Sequence, residues 1–400
     1  MPKYDRIIPS IKLKTPFFEM IQRGLKPEDI KEAVIQILSP YFENKRLVGH
    51  HAIDLLAPES VILARLQNDP LFLAGFENCL AIYRSAKAAN SQSCFESLAW
   101  WQPQVILSLS KFWTILHLEI DKRNLEIEEF LHECLRNIGD IIEGLTKPYL
   151  KILYHQLKIA QGSVISPEKV DSLNLGQVVN EFVKRITLAS LLVFPPWSIP
   201  LNQWRNIAYH HSARIQNNEI VCWYGRSPNI KEVKLSTDQL LQVVQAVSDV
   251  FVSLKLAHTL FYVDNFENIS HFSVPPYNER EESGFLNLAV ALASQGFEII
   301  EYNKSQDEAR IIVKDVSNLD PANRRFHASQ FLYPLWLSTE SRTLIVEYRE
   351  RDNTPNLLVS TFSDICEKIY NSELEIEELA KTMHMVDLKT KRTIKPLSNG

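Results

Sequence analysis

The chain has 400 residues, enough for two or three domains, and 45% of them are hydrophobic against 23% charged. That balance describes a folded globular protein and excludes a disordered or collagen-like one. A net charge of -5 excludes a basic body, so any nucleic-acid binding must rest on a local patch, and only 11 glycines argue against Gly-rich phosphate loops.

From the N-terminus, residues 1–124 read as a helical region. Lys26-Pro27-Glu28-Asp29 opens a segment with Ile30, Ala33, Val34, Ile37 and Leu38 at helical spacing, and residues 71–89 and 103–121 repeat the pattern. Trp100-Trp101 reads as core or interface. Residues 125–264 form a second region. Residues 126–157 are a long amphipathic run in which Pro148 predicts a kink or break. Residues 173–192 predict a second helix, and Pro195-Pro196 with Pro200 a stiff connector. Ser198 or a neighbour can cap the helix that follows, whose apolar side carries Trp204, Ile207, Ala208, His211 and Ile215. Residues 219–225 and 231–235 predict a short hairpin. Ser236-Thr237-Asp238 caps a last helix over about 240–261. Four main helices imply a small antiparallel bundle.

Residues 268–390 change character. A helix over 285–293, strands over 296–302, 309–314 and 343–348, a weaker strand over 357–362 and two further helices predict an α+β module with antiparallel hairpins. The last ten residues read as a loose basic tail. The fold class expected is therefore mainly α, a helical bundle between a helical N-terminal region and an α+β C-terminal module.

Cys79, Cys94, Cys134, Cys222 and Cys366 are far apart and odd in number, without zinc spacing, so they read as buried thiols in a reducing compartment. The first residues lack a signal-peptide core. The apolar run over 189–194 stops at Pro195-Pro196, and no run reads as a membrane span. A cytoplasmic protein is expected.

The informative stretch is residues 201–211, LNQWRNIAYHH. Arg205 is a permanent cation with a fork of donors suited to phosphate, and His210 is the side-chain type that moves protons near neutral pH. A second match, Arg46 to His51, lacks the Asn, contains Gly49 and reads as coincidence. On an ideal helix Arg205 and His210 stand about 140° apart, whereas Asn206 and His210 stack one turn apart.

The Arg-Asn-x3-His pattern on the last-but-one helix of a four-helix segment resembles the HEPN superfamily of ribonucleases. The flanks 138–145 (IGDIIEGL) and 175–179 (LGQVV) are similar to it as well. The resemblance covers about residues 125–262. It implies a HEPN-like four-helix bundle and a metal-independent endoribonuclease with no cofactor, acting on RNA as a homodimer with a composite site. It also implies a toxin or anti-phage role, held by an antitoxin or activator partner. Arg205, Asn206 and His210 would be catalytic, with His211, Asp140 and Glu143 in support. Some family toxins carry a Tyr two residues after the motif His that a partner enzyme modifies. Here Ser212 stands there, so that form of neutralisation is not expected.

The structural alternatives are definite. Arg205 would be a cation paired with Asp140 or Glu143, and such a pairing within one chain would favour a scaffold. His210 or His211 would be a satisfied core histidine, the favoured reading for His211. Tyr209 is a packing residue or an RNA-stacking ring. Arg324-Arg325-Phe326-His327 with Phe331, Tyr333 and Trp336 suits RNA stacking, although a buried aromatic cluster with a basic edge is favoured. The rival functions are a non-catalytic HEPN-like module that binds RNA or protein, and a helical scaffold with an accidental motif.

Overall fold

Helix outweighs strand, 61% against 16%, so the protein is mainly α with a sheet-containing C-terminal region. The computed structural model describes residue 8 and residues 16–53, 55–116, 125–184, 188–275, 281–371 and 373–394. The chain forms two compact units, one from residues 1–40, 45–60 and 280–400, the other from 41–44 and 61–279. These are not the segments expected at 1–124, 125–264 and 268–390. Residues 70–116 fold with the helical segment, and residues 16–40 cluster with the C-terminal sheet. Both corrections rest on contacts between distant parts of the chain, which local periodicity cannot show.

Among the described residues the first α-helices of more than one residue are α1 (Phe17–Gln22), α2 (Pro27–Leu38), α3 (Lys45–His51) and α4 (Ala57–Leu66). Pro27 opens α2 as expected, and the Asp29 carboxylate accepts from the Lys26 N–H at 2.7 Å, satisfying a free helix-end donor. The second Arg/His match lies in α3, in the first unit.

The second unit is built on long helices. Asp69 caps α5 (Pro70–Ala89) by accepting from the Leu71 N–H, and α6 (Ser91–Leu116) follows. The run expected over 126–157 is α7 (Ile127–Asp140), a π-helical segment (Ile141–Thr146) and α8 (Lys147–Ala160). Pro148 therefore does not break it. A proline lacks the N–H that an α-helix needs, and the turn before it widens instead. Lys147 N–H reaches back five residues to the Ile142 carbonyl, and the Thr146 hydroxyl donates to the Ile141 carbonyl at 2.9 Å. The helix expected over 173–192 is two short pieces, α10 (Leu175–Lys184) and α11 (Ala189–Leu192), after a turn α9 (Pro167–Asp171); residues 185–187 between them lie outside the described residues.

Next comes α12 (Leu201–Tyr209), then a sheet of β1 (Ala213–Gln216), β2 (Glu219–Arg226) and β3 (Asn229–Leu235) in that order, all antiparallel. The expected hairpin is present and gains β1 across Asn217-Asn218. Both asparagines have positive φ, the mark of a two-residue hairpin turn. Helix α13 (Thr237–Asp264), capped as expected by Ser236 in a box with Gln239, precedes α14 (Phe266–Ile269). It packs against α5, α7, the π segment and α8. By length and composition α13 is apolar enough to cross a membrane, unlike the sequence reading; half of its most apolar window is buried inside the fold. It is apolar on several sides because helices surround it.

A buried histidine ties the stability of this core to pH. His258 on α13 is buried against Tyr83, Tyr149 and Tyr262, and burial, with the nearby Lys255 charge, lowers its pKa from 6.5 to about 3. Below pH 6.5 the unfolded chain takes up a proton that the folded chain refuses until about pH 3, so stability falls as pH drops across that window, by up to roughly 5 kcal/mol. Urea midpoints measured from neutral pH to about pH 5 should fall for the native chain and fall less for His258→Phe.

In the first unit, α15 (Glu281–Ser294) leads into a six-stranded sheet: β4 (Phe297–Lys304), β5 (Glu308–Asp315), β6 (Thr343–Arg349), β7 (Pro355–Phe362), β8 (His384–Asp387) and β9 (Arg392–Ile394), in sequence order. Helices α16 (Pro321–Ser329) and α17 (Leu332–Thr339) cross between β5 and β6, α18 (Ser363–Tyr370) and α19 (Glu377–Thr382) between β7 and β8. The sheet is thus mixed, not purely antiparallel as expected: β5 and β6 run parallel because a helical crossover joins them. Part of the expected loose tail is strand β9; residues 395–400 lie outside the described residues.

Candidate active site at the crossing of α7 and α12

Helix α12 buries Leu201, Trp204, Ile207 and Ala208, spaced one helical turn apart, and turns Arg205, Asn206 and Tyr209 away from them. Its N-cap is Pro200 itself, with no side-chain cap from Ser198 or a neighbour. Its far end is a Schellman turn. His211 N–H donates to the Ala208 carbonyl and Ser212 N–H to the Ile207 carbonyl, with His211 at φ 47 in the left-handed position that glycine usually takes. The helix therefore stops at Tyr209, His210 is its C-cap, and both histidines are exposed. This corrects two expectations: His211 is not on the apolar side, and Ile215 belongs to β1.

Helix α7 meets α12 at Gly139. A Cβ there would lie 3.1 Å from the Tyr209 ring and 3.6 Å from Ala208 Cβ, so the missing side chain is what lets the helices approach. One turn further on, Glu143 stands in the π segment. Its Oε1 accepts from Arg205 Nε at 2.6 Å and its Oε2 from Lys147 Nζ at 2.8 Å. Burial pushes the Glu143 carboxyl up, but the hydrogen bonds and charges of Lys147 and Arg205 outweigh it and hold the carboxyl below its usual range.

The structure thus brings Arg205, Asn206, Tyr209 and Glu143 together. The Arg205 guanidinium lies 4.9 Å from the Tyr209 ring centre and donates through Nη1 to Asn206 Oδ1 at 3.3 Å. Asn206 therefore steadies Arg205 rather than His210. Burial, with the Glu143 and Asp140 charges, raises the Tyr209 hydroxyl pKa. Asp140 is half-buried near the crossing and makes no side-chain hydrogen bond among the described residues. The Arg205–Glu143 pair is the one expected of a structural cation. It engages only Nε, however. A guanidinium has five N–H donors, so after Glu143 and Asn206 three remain, and the outer edge of the fork is unspent.

Sequence reasoning missed His132. Its ring lies parallel to that of His211, centroids 5.7 Å apart and planes within 6°. The signal was available: His132, Arg136, Gly139 and Glu143 recur at intervals of four, three and four along one run, the spacing of a single helix face.

Arg324 and Arg325 are not part of this site. Arg324 is 3% exposed, and both of its nitrogens facing Asp315 bond that buried carboxylate, at 3.0 and 3.3 Å. It also donates to the Gln295 carbonyl and covers the Phe297 ring. It is a core residue with no edge for RNA. Arg325 is partly exposed and pairs with Asp387 at 3.7 Å. The five cysteines are free and buried, and Trp101 is fully buried.

No protein-family model matches the chain, and no match is found among curated proteins or solved structures.

Glu143→Gln is expected to destabilise the second unit by about 1–3 kcal/mol, because two cations lose their carboxylate in a half-buried place. The native carboxyl is depressed, so its contribution is present above the unfolded value of 4.5 and is lost as pH falls through the lower folded value. Melting curves of the two chains should therefore converge in acid.

Proposed function

We propose that the protein is a metal-independent endoribonuclease of the HEPN type. The observation that carries this reading is the open edge of the Arg205 fork, held by Glu143 and Asn206 on the helix whose C-cap is the exposed His210. Arg205 would bind the scissile phosphate and stabilise the charge that builds on its oxygens. Neutral His210 would take the 2′-hydroxyl proton as general base. The 2′-oxygen then bonds to phosphorus, and the 5′-oxygen leaves with a proton from water or from His210 of a second copy. The products are a 2′,3′-cyclic phosphate and a 5′-hydroxyl. A homodimer with the two α12 ends facing across a two-fold axis would place both sets of residues in one cleft. The HEPN-like bundle, the RNA substrate and an effector role in toxicity or phage defence belong to this proposal.

The test is cleavage of RNA by the purified protein in EDTA, native chain against His210→Ala, with the product ends identified. Cyclic phosphate ends lost in the variant support the enzyme. DNA should be left intact, for want of the 2′-hydroxyl. Toxicity on expression that His210→Ala relieves would support an effector role.

The Arg205–Glu143 pair favours a second reading, a helical scaffold in which the motif does no chemistry. A native chain that melts normally but neither cleaves nor binds RNA would select it, whereas RNA binding that survives His210→Ala without cleavage would select a non-catalytic HEPN-like binding module.

A further inference from the structure

A separate pocket of about 200 Å³ opens between α6 and the π segment with the start of α8. Lys111, Lys147 and Lys151 line it, with Glu143, Asp171, Gln104 and Ser108 among the other lining residues. Lys151 is 6% exposed and bonds the side chain and carbonyl of Asp171. Lys147 bonds Glu143, whose other oxygen serves Arg205. Lys111 has no hydrogen-bond or ion-pair partner among the described residues, and its stem lies over Gly144, where a Cβ would come within 3.2 Å of its Cδ. Within the pocket three lysines face two carboxylates, which leaves the Lys111 ammonium as the unmatched positive charge at a partly enclosed surface.

Like charges gathered in this way repel one another unless an anion is present. One unmatched ammonium, beside two lysines whose ammonium groups keep N–H donors to spare, fits an anionic head group such as phosphate. A volume below the roughly 300 Å³ at which pockets begin to enclose whole organic ligands fits a head group alone. We propose that this pocket binds a terminal phosphate, either inorganic phosphate or the phosphomonoester end of a larger molecule, held by Lys111 and Lys147, with Lys151 fixed behind them by Asp171. The site shares Glu143 with the proposed cleavage site but uses neither His210 nor the outer edge of Arg205.

The experiment is isothermal titration of the full chain with inorganic phosphate and with a nucleoside 5′-monophosphate, using chloride as the competing salt. The native chain, His210→Ala, Lys111→Gln and the Lys111→Gln/Lys147→Gln pair are compared. One phosphate is expected per chain, with about tenfold weaker binding for each lysine removed and no change in His210→Ala. Equal affinity for both probes identifies a phosphate site, and tighter binding of the nucleotide identifies a phosphomonoester end. No binding to a native chain that melts normally overturns the proposal, as does binding that survives loss of both lysines. Lys111 is exposed, so Lys111→Gln should fold, and its melting curve checks this. A chain that binds phosphate but never cleaves RNA would refute the ribonuclease reading alone.

Discussion

His210→Ala is expected to slow RNA cleavage by about 10²–10⁴-fold, the range for removing a positioned general base. Arg205→Ala should cost a similar factor, since donors aimed at developing charge contribute about 10²–10³. Arg205→Lys separates charge from geometry. Lysine keeps the cation but lacks the planar fork that can give one edge to Glu143 and another to phosphate. Most of the loss should therefore persist in Arg205→Lys. The measurement is a single-turnover rate on a defined RNA in EDTA, with each variant's melting point recorded beside it. Rates unchanged in all three variants would remove the motif from the chemistry.

Arg324→Met is expected to destabilise the first unit by about 3–5 kcal/mol, because it leaves the Asp315 carboxylate buried without its cation. Asp315 would keep only the Ser317 N–H at 2.8 Å and the Tyr348 hydroxyl at 3.4 Å. His327 depends on the same arginine. Burial, with the Arg324 charge beside it, lowers its pKa to about 4, and the neutral ring accepts from Arg324 at Nδ1 while Nε2–H donates to Gln295. Replacing both charges, Asp315→Leu with Arg324→Met, should recover part of the loss, since a buried ion pair is often no better than apolar packing. The Ser317 N–H would still lack its acceptor, so recovery stays incomplete. Denaturant unfolding of the three chains reads this directly. RNA cleavage by whatever fraction remains folded should be untouched, because Arg324 presents nothing to solvent.

The sequence by itself determined the parts that depend on neighbours along the chain. Pro27, Asp69-Pro70 and Ser236 with Gln239 start helices because proline and capping side chains satisfy helix-end donors locally. The strands of the C-terminal module follow from alternation and β-branched content, and the hairpin of residues 219–235 from two such runs around a turn. The pairing of Arg205 with a chosen acid was also legible, as one of two named candidates. Only the tertiary structure decided what rests on distant contacts. The stretch over 70–116 became part of the helical unit because its apolar faces have α8 and α13 to cover them. The run continued through Pro148 by way of a π turn just before it because Thr146 and Lys147 had carbonyls five residues back to bond. His211 moved from an apolar face to an exposed left-handed turn once Ser212 closed the end of α12. Arg324 looked like an RNA contact in a basic, aromatic string and is instead a core residue, because Asp315, nine residues earlier at the end of β5, is buried beside it. The partition of Arg205 between Glu143, Asn206 and an open edge is likewise a matter of three-dimensional direction, which the spacing of letters does not contain.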